Sequence, residues 1–150
     1  MRNDLHFAAT RAAQQLAAIV ESSDDVILSK SLEGIITSWN DAAERMFGYT
    51  AAEAIGQPIF LIVPPERHDE ERGLLERVRA GDPVGMETER RRKDGSTVAI
   101  SLMVSPIRDS QGRIVGASKI ARDITARKRN EAERDELHQR LTTLVAAFAS

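Results

Sequence analysis

A strict alternation of side chains across residues 98–105 constrains the fold more than any other feature of the sequence. Large aliphatic residues occupy every second position, with mostly small or polar ones between them: Val98, Ile100, Leu102 and Val104 alternate with Ala99, Ser101, Met103 and Ser105. A period of two is typical of a β-strand that buries one face and exposes the other. The sequence therefore predicts a half-buried strand here, and with it a sheet.

Further strands are predicted from short β-branched or extended runs and from the turns that separate them. These strands cover residues 26–28, 35–37, 86–93 and 114–121. The first two are joined by a connection that ends in Gly34, which favours a hairpin. Turn residues around Gly95 and Gly112 separate the last three strands. The sheet is therefore expected to have five strands.

The stretch between the second and third strands predicts a cluster of helices. Asn40 or Asp41 can cap a short helix over residues 42–47. A capping box opens a second short helix over residues 50–56. Two consecutive prolines introduce a longer helix over residues 64–80.

Both ends of the chain are predicted to be helices with a narrow apolar stripe. Apolar residues recur at intervals of three and four: Leu5, Ala9, Ala12, Leu16 and Ile19 at the start, and Leu137, Leu141, Leu144 and Phe148 at the end. Such a seam suits a short coiled coil, so we expect a homodimer through the terminal helices. Because the second seam stops where the sequence ends, we interpret the chain as a fragment of a longer protein.

This order of elements predicts an α+β fold, with a five-stranded antiparallel sheet, helices on one of its faces, and flanking terminal helices. The expected divisions are an N-terminal helix over residues 1–22, a central domain over residues 23–125 and a C-terminal linker helix over residues 126–150.

The composition excludes several classes of protein. The 150 residues contain no cysteine, which excludes a disulfide scaffold and a thiolate zinc site. The formal net charge is −2, and acidic neighbours dilute the basic run at residues 90–93, so we expect no nucleic-acid binding. Apolar stretches fall far short of the ~20 residues that a membrane span needs, which predicts a cytoplasmic chain without direct membrane insertion.

Five motifs that follow one another in order resemble those of a PAS domain. They are GIITSWN at residues 34–40, AERMFGY at 43–49, IGQP at 55–58, RRKDGS at 91–96 and DIT at 123–125. The resemblance covers residues 20–125 and is to the PAS/S-box modules of bacterial sensor proteins, in particular those that precede histidine kinases. It implies a PAS fold around a small-ligand cavity, a role in sensing a small ligand or partner, and a downstream effector domain.

The junction between the last strand and the exit helix is where the resemblance places signal transmission. From the residues alone, Thr125 can cap the exit helix, and Asp123 can pair with Arg122 or Arg127. The resemblance implies that segment 123–125 couples movement of the sheet to the exit helix. It also implies that Asn40 ties the second strand to the following loop. The predicted transmission residues are Asn40, Asp123, Ile124 and Thr125.

The resemblance also suggests which side chains would line a ligand cavity. The candidates are Met46, Phe47, Phe60, Ile62, Leu74, Val78, Ile100 and Leu102, each of which is more simply explained as a core residue. Arg90 joins them because it shares its strand face with Met86 and Thr88. An inward-facing Arg90 could anchor an anionic ligand.

No cofactor is assigned. Light-sensing relatives need a reactive cysteine beside flavin, and this chain has none. Haem-binding relatives carry a histidine on the long helix, where alignment places Glu70 instead. His68 lies two residues earlier, about 200° around the helix. Non-covalent flavin, a carboxylic acid, another metabolite and an empty or packed cavity all stay open.

Catalysis by this chain is not expected. Its histidines at positions 6, 68 and 138 are too scattered to indicate a metal site, and it has no phosphate-binding glycine loop. The leading hypothesis is therefore a sensory module. Two alternatives are a ligand-less dimerisation and relay module, and a histidine-kinase fragment in which His138 accepts a phosphoryl group.

Overall fold

The computed structural model describes the backbone of residues 2–149 and the side chains of residues 11–149. The strands are β1 (Val26–Ser31), β2 (Ile36–Trp39), β3 (Val84–Arg91), β4 (Thr97–Arg108) and β5 (Ile114–Asp123). They form one five-stranded sheet in the order β2-β1-β5-β4-β3, and each neighbouring pair is antiparallel. The predicted α+β fold is confirmed.

Helices flank the sheet and cover one of its faces. They are α1 (Arg2–Ser22), α2 (Asp41–Phe47), α3 (Ala51–Ala54), α4 (His68–Arg79) and α5 (Thr125–Ala149), with short 3-10 turns at Ile59–Ile62 and Pro65–Arg67. Helix α2 contacts β1, whereas α4 contacts β3, β4 and β5. The inner face of the sheet therefore lies beneath the helices that connect β2 to β3.

The alternation that predicted β4 is confirmed by burial. Its inward residues are at most 3% exposed: Val98, Ile100, Leu102 and Val104. On the opposite face Met103 is 48% exposed. Strand β5 continues to Asp123, beyond the predicted end at residue 121, because Asp123 still pairs with Ile100 in the register of β4.

The long helix begins later than the sequence predicted. The two prolines and the residues after them form an extended step and a 3-10 turn, and α4 starts only at His68. Pro64 has a ψ of 145° because the ring of Pro65 disfavours a helical conformation at the preceding residue. Arg67, with φ −113° and ψ 10°, then separates the 3-10 turn from α4.

The apolar seams of the terminal helices lie open to solvent. In α1, Leu16 and Ile19 are each 64% exposed, while the side chains of Leu5 and Ala9 lie outside the described residues. In α5 the seam residues are 54% to 90% exposed: Leu137, Leu141, Leu144 and Phe148. None of the described helices combines the length and apolar character that crossing a membrane requires.

Gly116 allows β5 to lie close to β1. A Cβ atom there would stand 2.5 Å from the carbonyl oxygen of Lys30, nearer than real Cβ contacts come. Gly116→Ala is therefore expected to lower the free energy of unfolding by about 1–3 kcal/mol, measured by urea denaturation. Gly73→Ala is the matched control, because a Cβ in the middle of α4 meets nothing within 4 Å. It should instead raise stability by about 0.5–1 kcal/mol, and equal effects would contradict the close approach.

Candidate functional site

Charged side chains gather inside the domain, between the sheet and α4. We define the charged cluster as Lys30 of β1, Glu70 and Glu71 of α4, Arg90 of β3 and Lys119 of β5. Four of its members are at most 2% exposed as residues, and the side chain of Glu70 is 21% exposed. Charges this deep in a protein are rare unless they pair with one another.

Glu71 is the centre of the charged cluster. Its Oε1 accepts from the Nζ of Lys119 at 2.5 Å and also from the Nζ of Lys30. Its Oε2 accepts from the Nη2 of Arg90 at 3.3 Å. One carboxylate thus joins cations from three different strands and holds α4 against the inner face of the sheet.

Glu70 links the charged cluster to the edge of the domain. Its Oε2 accepts from the Thr88 hydroxyl at 2.8 Å and from the Nη1 of Arg90 at 3.2 Å. Its Oε1 accepts from the Nη1 of Arg67 at 3.2 Å, and Arg67 is about one-third exposed. Arg90 faces inward as predicted, and carboxylates of the chain itself already occupy its guanidinium.

Burial and neighbouring charge shift two pKa values in the charged cluster. Burial lowers the pKa of Lys119 to about 7; Glu71 opposes this change, while Lys30 and Arg90 add to it. Burial acts to raise the pKa of Glu71, but the positive charges of Lys119 and Lys30 outweigh it and hold that pKa below its ordinary value. Glu71 is therefore ionised across the neutral range, whereas Lys119 can change its charge within it.

Lys30, Glu71 and Lys119 were missed by the sequence analysis, although periodicity could have found them. Lys30 lies two residues after Leu28 and so shares its inward face, and Lys119 lies between the inward Ala117 and Ala121 of β5. Glu71 precedes Leu74 and Val78 by three and seven residues, which places all three on one face of α4. The three charged residues were missed because only apolar residues were counted when the inward-facing positions of β1, α4 and β5 were predicted.

The residues predicted to line a ligand cavity lie in and around a single hydrophobic core. Six are buried in it: Phe47, Ile62, Leu74, Val78, Ile100 and Leu102. Met46 and Phe60 are half-buried and pack against the same core. The structure thus brings these side chains together with Arg90 on the inner face of the sheet, and their contact with a ligand stays a prediction.

His68 is engaged within the chain. Its Nε2 lies 3.1 Å from the carbonyl oxygen of Val63, and its ring stands 4.3 Å from the ring of Phe60. The residue is half-buried. Glu70, two residues later, accepts hydrogen bonds from Thr88 and Arg90.

Asn40 connects three segments of the chain. Its Oδ1 accepts from the amide of Ala43 at 3.0 Å, which confirms the predicted cap of α2, and from the amide of Ile27 at 3.1 Å. Its Nδ2 donates to the carbonyl oxygens of Val20 and Asp25, both at 3.0 Å. Because Val20 belongs to α1, this buried amide ties the N-terminal helix to β1 and α2.

At the exit junction, Asp123 rather than Thr125 satisfies the first amide of α5. The Oδ1 of Asp123 accepts from the Thr125 amide at 2.8 Å, while the Thr125 hydroxyl is buried with no hydrogen-bond partner among the described residues. Ile124 is 6% exposed, and its amide donates to the Ala99 carbonyl oxygen at 2.9 Å. The start of α5 is therefore fastened to β4 by both backbone and packing.

The expected cation partners of Asp123 were wrong. Arg122 pairs with Asp25 at 3.1 Å, and Arg127 pairs with Glu87. Asp123 instead lies 4.0 Å from the Nη2 of Arg92. The sequence could not show this pairing because Arg92 reaches the junction only through the folded sheet.

An open groove lies beside the junction. Its volume is about 340 Å³, and it is lined by Arg67, Glu87, Thr88, Glu89, Ala99, Ile124 and Lys128. It therefore runs from Arg67, which contacts Glu70 of the charged cluster, to the first turns of α5.

Comparison with known proteins places this geometry in a family. Residues 14–124 match the PAS fold. The sensor protein FixL of Bradyrhizobium diazoefficiens is 28% identical over 131 residues, covering 84% of this chain and 26% of that protein. The histidine-protein kinase AtoS of Escherichia coli is 29% identical over 127 residues, covering 84% of this chain and 20% of that protein. The chain thus spans only about a quarter or less of either relative.

Solved structures agree with the match. The PAS domain of a protein from Colwellia psychrerythraea has a TM-score of 0.72 and 30% identity, covering 77% of this chain and 98% of that one. The PAS domain of an HTR-like protein from Haloarcula marismortui has a TM-score of 0.69 at 20% identity, covering 81% and 99%, and shows the same fold. On the family match, the strand order and these structures, the chain belongs to the PAS family.

Proposed function

We propose that this chain is the sensory PAS module of a larger signalling protein. In this proposal residues 23–125 sense a small ligand or a partner, and the signal passes through Asp123-Ile124-Thr125 to the linker helix over residues 126–150. The similarity to a sensor protein and to a histidine-protein kinase supports a histidine kinase as the downstream effector.

The observation that carries this proposal is the course of β5. The strand holds Lys119 in the charged cluster and, four residues later, Asp123 at the start of α5. A displacement of the inner face that moves β5 would therefore reach the exit helix without crossing a flexible loop. The first turn of α5 is held to the packed sheet, while the described residues after Thr125 are exposed to solvent. Such a junction suits two-state switching.

The exposed seams of α1 and α5 support a homodimer through the terminal helices as part of the proposal. Leu137, Leu141 and Leu144 are each more than half exposed and recur at the spacing of a coiled coil. A second copy would cover them and would turn a shift at the junction into a rotation or register change between two helices.

Asp123→Ala tests the junction. Alanine removes the hydrogen bond that the Asp123 carboxylate accepts from the Thr125 amide, which should lower the free energy of unfolding by about 1 kcal/mol. The exposed 4.0 Å contact between Asp123 and Arg92 should add little to this loss. In a fusion to a histidine-kinase core, however, basal autophosphorylation should change about threefold or more. The measurements are urea denaturation of the chain and phosphoryl incorporation by the fusion.

Asp109→Ala is the matched control for this experiment. Asp109 Oδ1 accepts from the amides of Gln111 and Arg113 at 2.8 and 3.0 Å, so it makes the same kind of local bond at the turn where β5 begins. The control should cost similar stability and leave autophosphorylation unchanged. If the two variants shift activity alike, Asp123 is part of the scaffold and the relay proposal fails.

A ligand-less relay module is the second candidate, because the predicted lining residues pack within one core and Glu70 and Glu71 already hold Arg90. Native mass spectrometry of protein purified under mild conditions distinguishes the two. A retained small molecule supports ligand sensing. A mass equal to that of the polypeptide alone, together with a kinase fusion whose autophosphorylation still responds to Asp123→Ala, supports the alternative.

A further inference from the structure

The charged cluster does not balance its charges when every member carries its ordinary one. Lys30, Arg90 and Lys119 are cations, whereas only Glu70 and Glu71 are anions. One positive charge is therefore left over in a region where charges are costly to bury. If Lys119 is neutral, the remaining two cations and two carboxylates balance.

The hydrogen bonds of the charged cluster show the same shortage of acceptors. An ammonium group has three N–H donors. Within the part of the chain that the structure describes, the side chains of Lys30 and Lys119 each have one acceptor, and it is the same oxygen, Oε1 of Glu71. Two fully protonated lysines are thus poorly satisfied there, whereas one ammonium and one amine share this oxygen more easily.

The surroundings of Lys119 favour its neutral form. Strand β1 places Lys30 near it, β3 places Arg90, and α4 places Glu71 and, behind Arg90, Glu70. On the sheet itself its register partners are the apolar Leu28 and Val104. The pKa of Lys119 is lowered to about 7, first by burial and then by the charges of Lys30 and Arg90, against the attraction of Glu71.

We propose that Lys119 is a proton-binding site through which this domain senses pH in the neutral range. In the alkaline state Lys119 is an amine and the charged cluster is balanced. On acidification the amine takes one proton, and the added positive charge strengthens its attraction to Glu71 while it repels Lys30 and Arg90. Binding of the proton depends on the charged cluster alone, whereas its use as a signal rests on the proposed function.

The position of Lys119 connects this proton to the output. Glu71 belongs to α4 and Lys119 to β5, so a change in the attraction between them alters the strength of the contact between α4 and β5. Strand β5 then leads directly to Asp123 and the first turn of α5. The same strand therefore binds the proton and carries the exit junction.

The first test is the pH dependence of stability for the chain and for Lys119→Met. The folded pKa of Lys119 lies below the value of 10.5 that an unperturbed lysine has, so between these values the unfolded chain binds a proton that the folded chain lacks. Stability should therefore rise with pH across this window. The ratio of the folding equilibrium constants of wild type and Lys119→Met should grow about tenfold per pH unit from about pH 7.5 to 9.5 and be flat below about pH 6.5.

Two further variants guard against a trivial result. Lys30→Met removes the positive charge that shares Oε1 of Glu71 with Lys119, so the pKa of Lys119 should be higher in this variant. Its stability should therefore begin to rise at a higher pH than that of the wild type. Lys93→Met changes an exposed lysine that pairs with Glu53 and should leave the rise between pH 7.5 and 9.5 as it is. A constant ratio for wild type and Lys119→Met would overturn the inference, and so would an equal loss of the rise in Lys93→Met.

The second test reads the junction itself. Hydrogen exchange at residues 125–128, corrected for the intrinsic rate, should change about threefold or more between pH 6.5 and 8.5 in the wild type and not in Lys119→Met. If Lys119 titrates while this segment does not respond, the sensing inference is overturned. The relay proposal stands or falls separately, on the activity of the Asp123→Ala fusion.

Discussion

Glu71→Gln is expected to lower the free energy of unfolding by about 3–5 kcal/mol at neutral pH. The side chain is 2% exposed and is the shared acceptor for Lys30, Lys119 and Arg90. Without its charge, buried Lys30 loses the only carboxylate that it contacts among the described residues, and Arg90 keeps only Glu70. Breaking a buried ion pair by removing one partner leaves an uncompensated charge, which costs far more than the net value of the pair.

The penalty should also depend on pH. Glu71 favours the protonated form of Lys119, whose folded pKa is about 7 in the wild type and should be lower in Glu71→Gln. Below about pH 7 the wild type therefore keeps a Lys119–Glu71 attraction that the variant has lost, so the penalty grows as the pH falls. Urea denaturation monitored by circular dichroism at about pH 6 and pH 9 measures both effects.

Glu76→Gln is the matched control for this substitution. Glu76 lies on α4 as well, but on the exposed face of the helix. The same change of chemistry there should alter stability by no more than about 0.5 kcal/mol. Equal penalties at positions 71 and 76 would show that the charged cluster does not hold α4 to the sheet.

Asn40→Ala is expected to cost about 3 kcal/mol of stability. The amide side chain is buried and makes hydrogen bonds to Ile27, Ala43, Val20 and Asp25. Alanine removes the cap of α2, which alone costs about 0.5–2 kcal/mol, and also leaves buried backbone groups unsatisfied. The loss should appear in urea denaturation, together with faster hydrogen exchange at the end of α1.

Asn40→Asp separates the two halves of this interaction. The carboxylate can still accept from the amides of Ala43 and Ile27, but it cannot donate to the carbonyl oxygens of Val20 and Asp25. Exchange should therefore rise at the end of α1 more than at α2. Asn130→Ala, an exposed amide on α5, should leave both unchanged. Uniform loosening in Asn40→Asp would contradict a specific link between α1 and the domain.

Local sequence chemistry predicted the caps of α2 and α3, because a cap depends on residues only two or three positions apart, whereas the predicted Thr125 cap of α5 was wrong. Asn40 caps α2, and Thr50 with Glu53 forms the capping box of α3. The predicted start of the long helix was wrong because the second of two adjacent prolines favours an extended backbone at the first. The apolar pattern of α4 does not reveal where the helix begins. Strand ends were extended by hydrogen-bonding partners that lie far away in sequence, as Asp123 opposite Ile100 shows.

What the sequence by itself determined is the fold: periodic apolar residues, capping side chains and turn residues act over short distances and are written in consecutive positions. What only the tertiary structure decided is the interior chemistry. Residues 30, 71, 90 and 119 lie far apart in the chain, and of these four only Arg90 was predicted to face inward. The folded sheet and α4 bring them together out of water, and that burial is what shifts the Lys119 pKa into the neutral range.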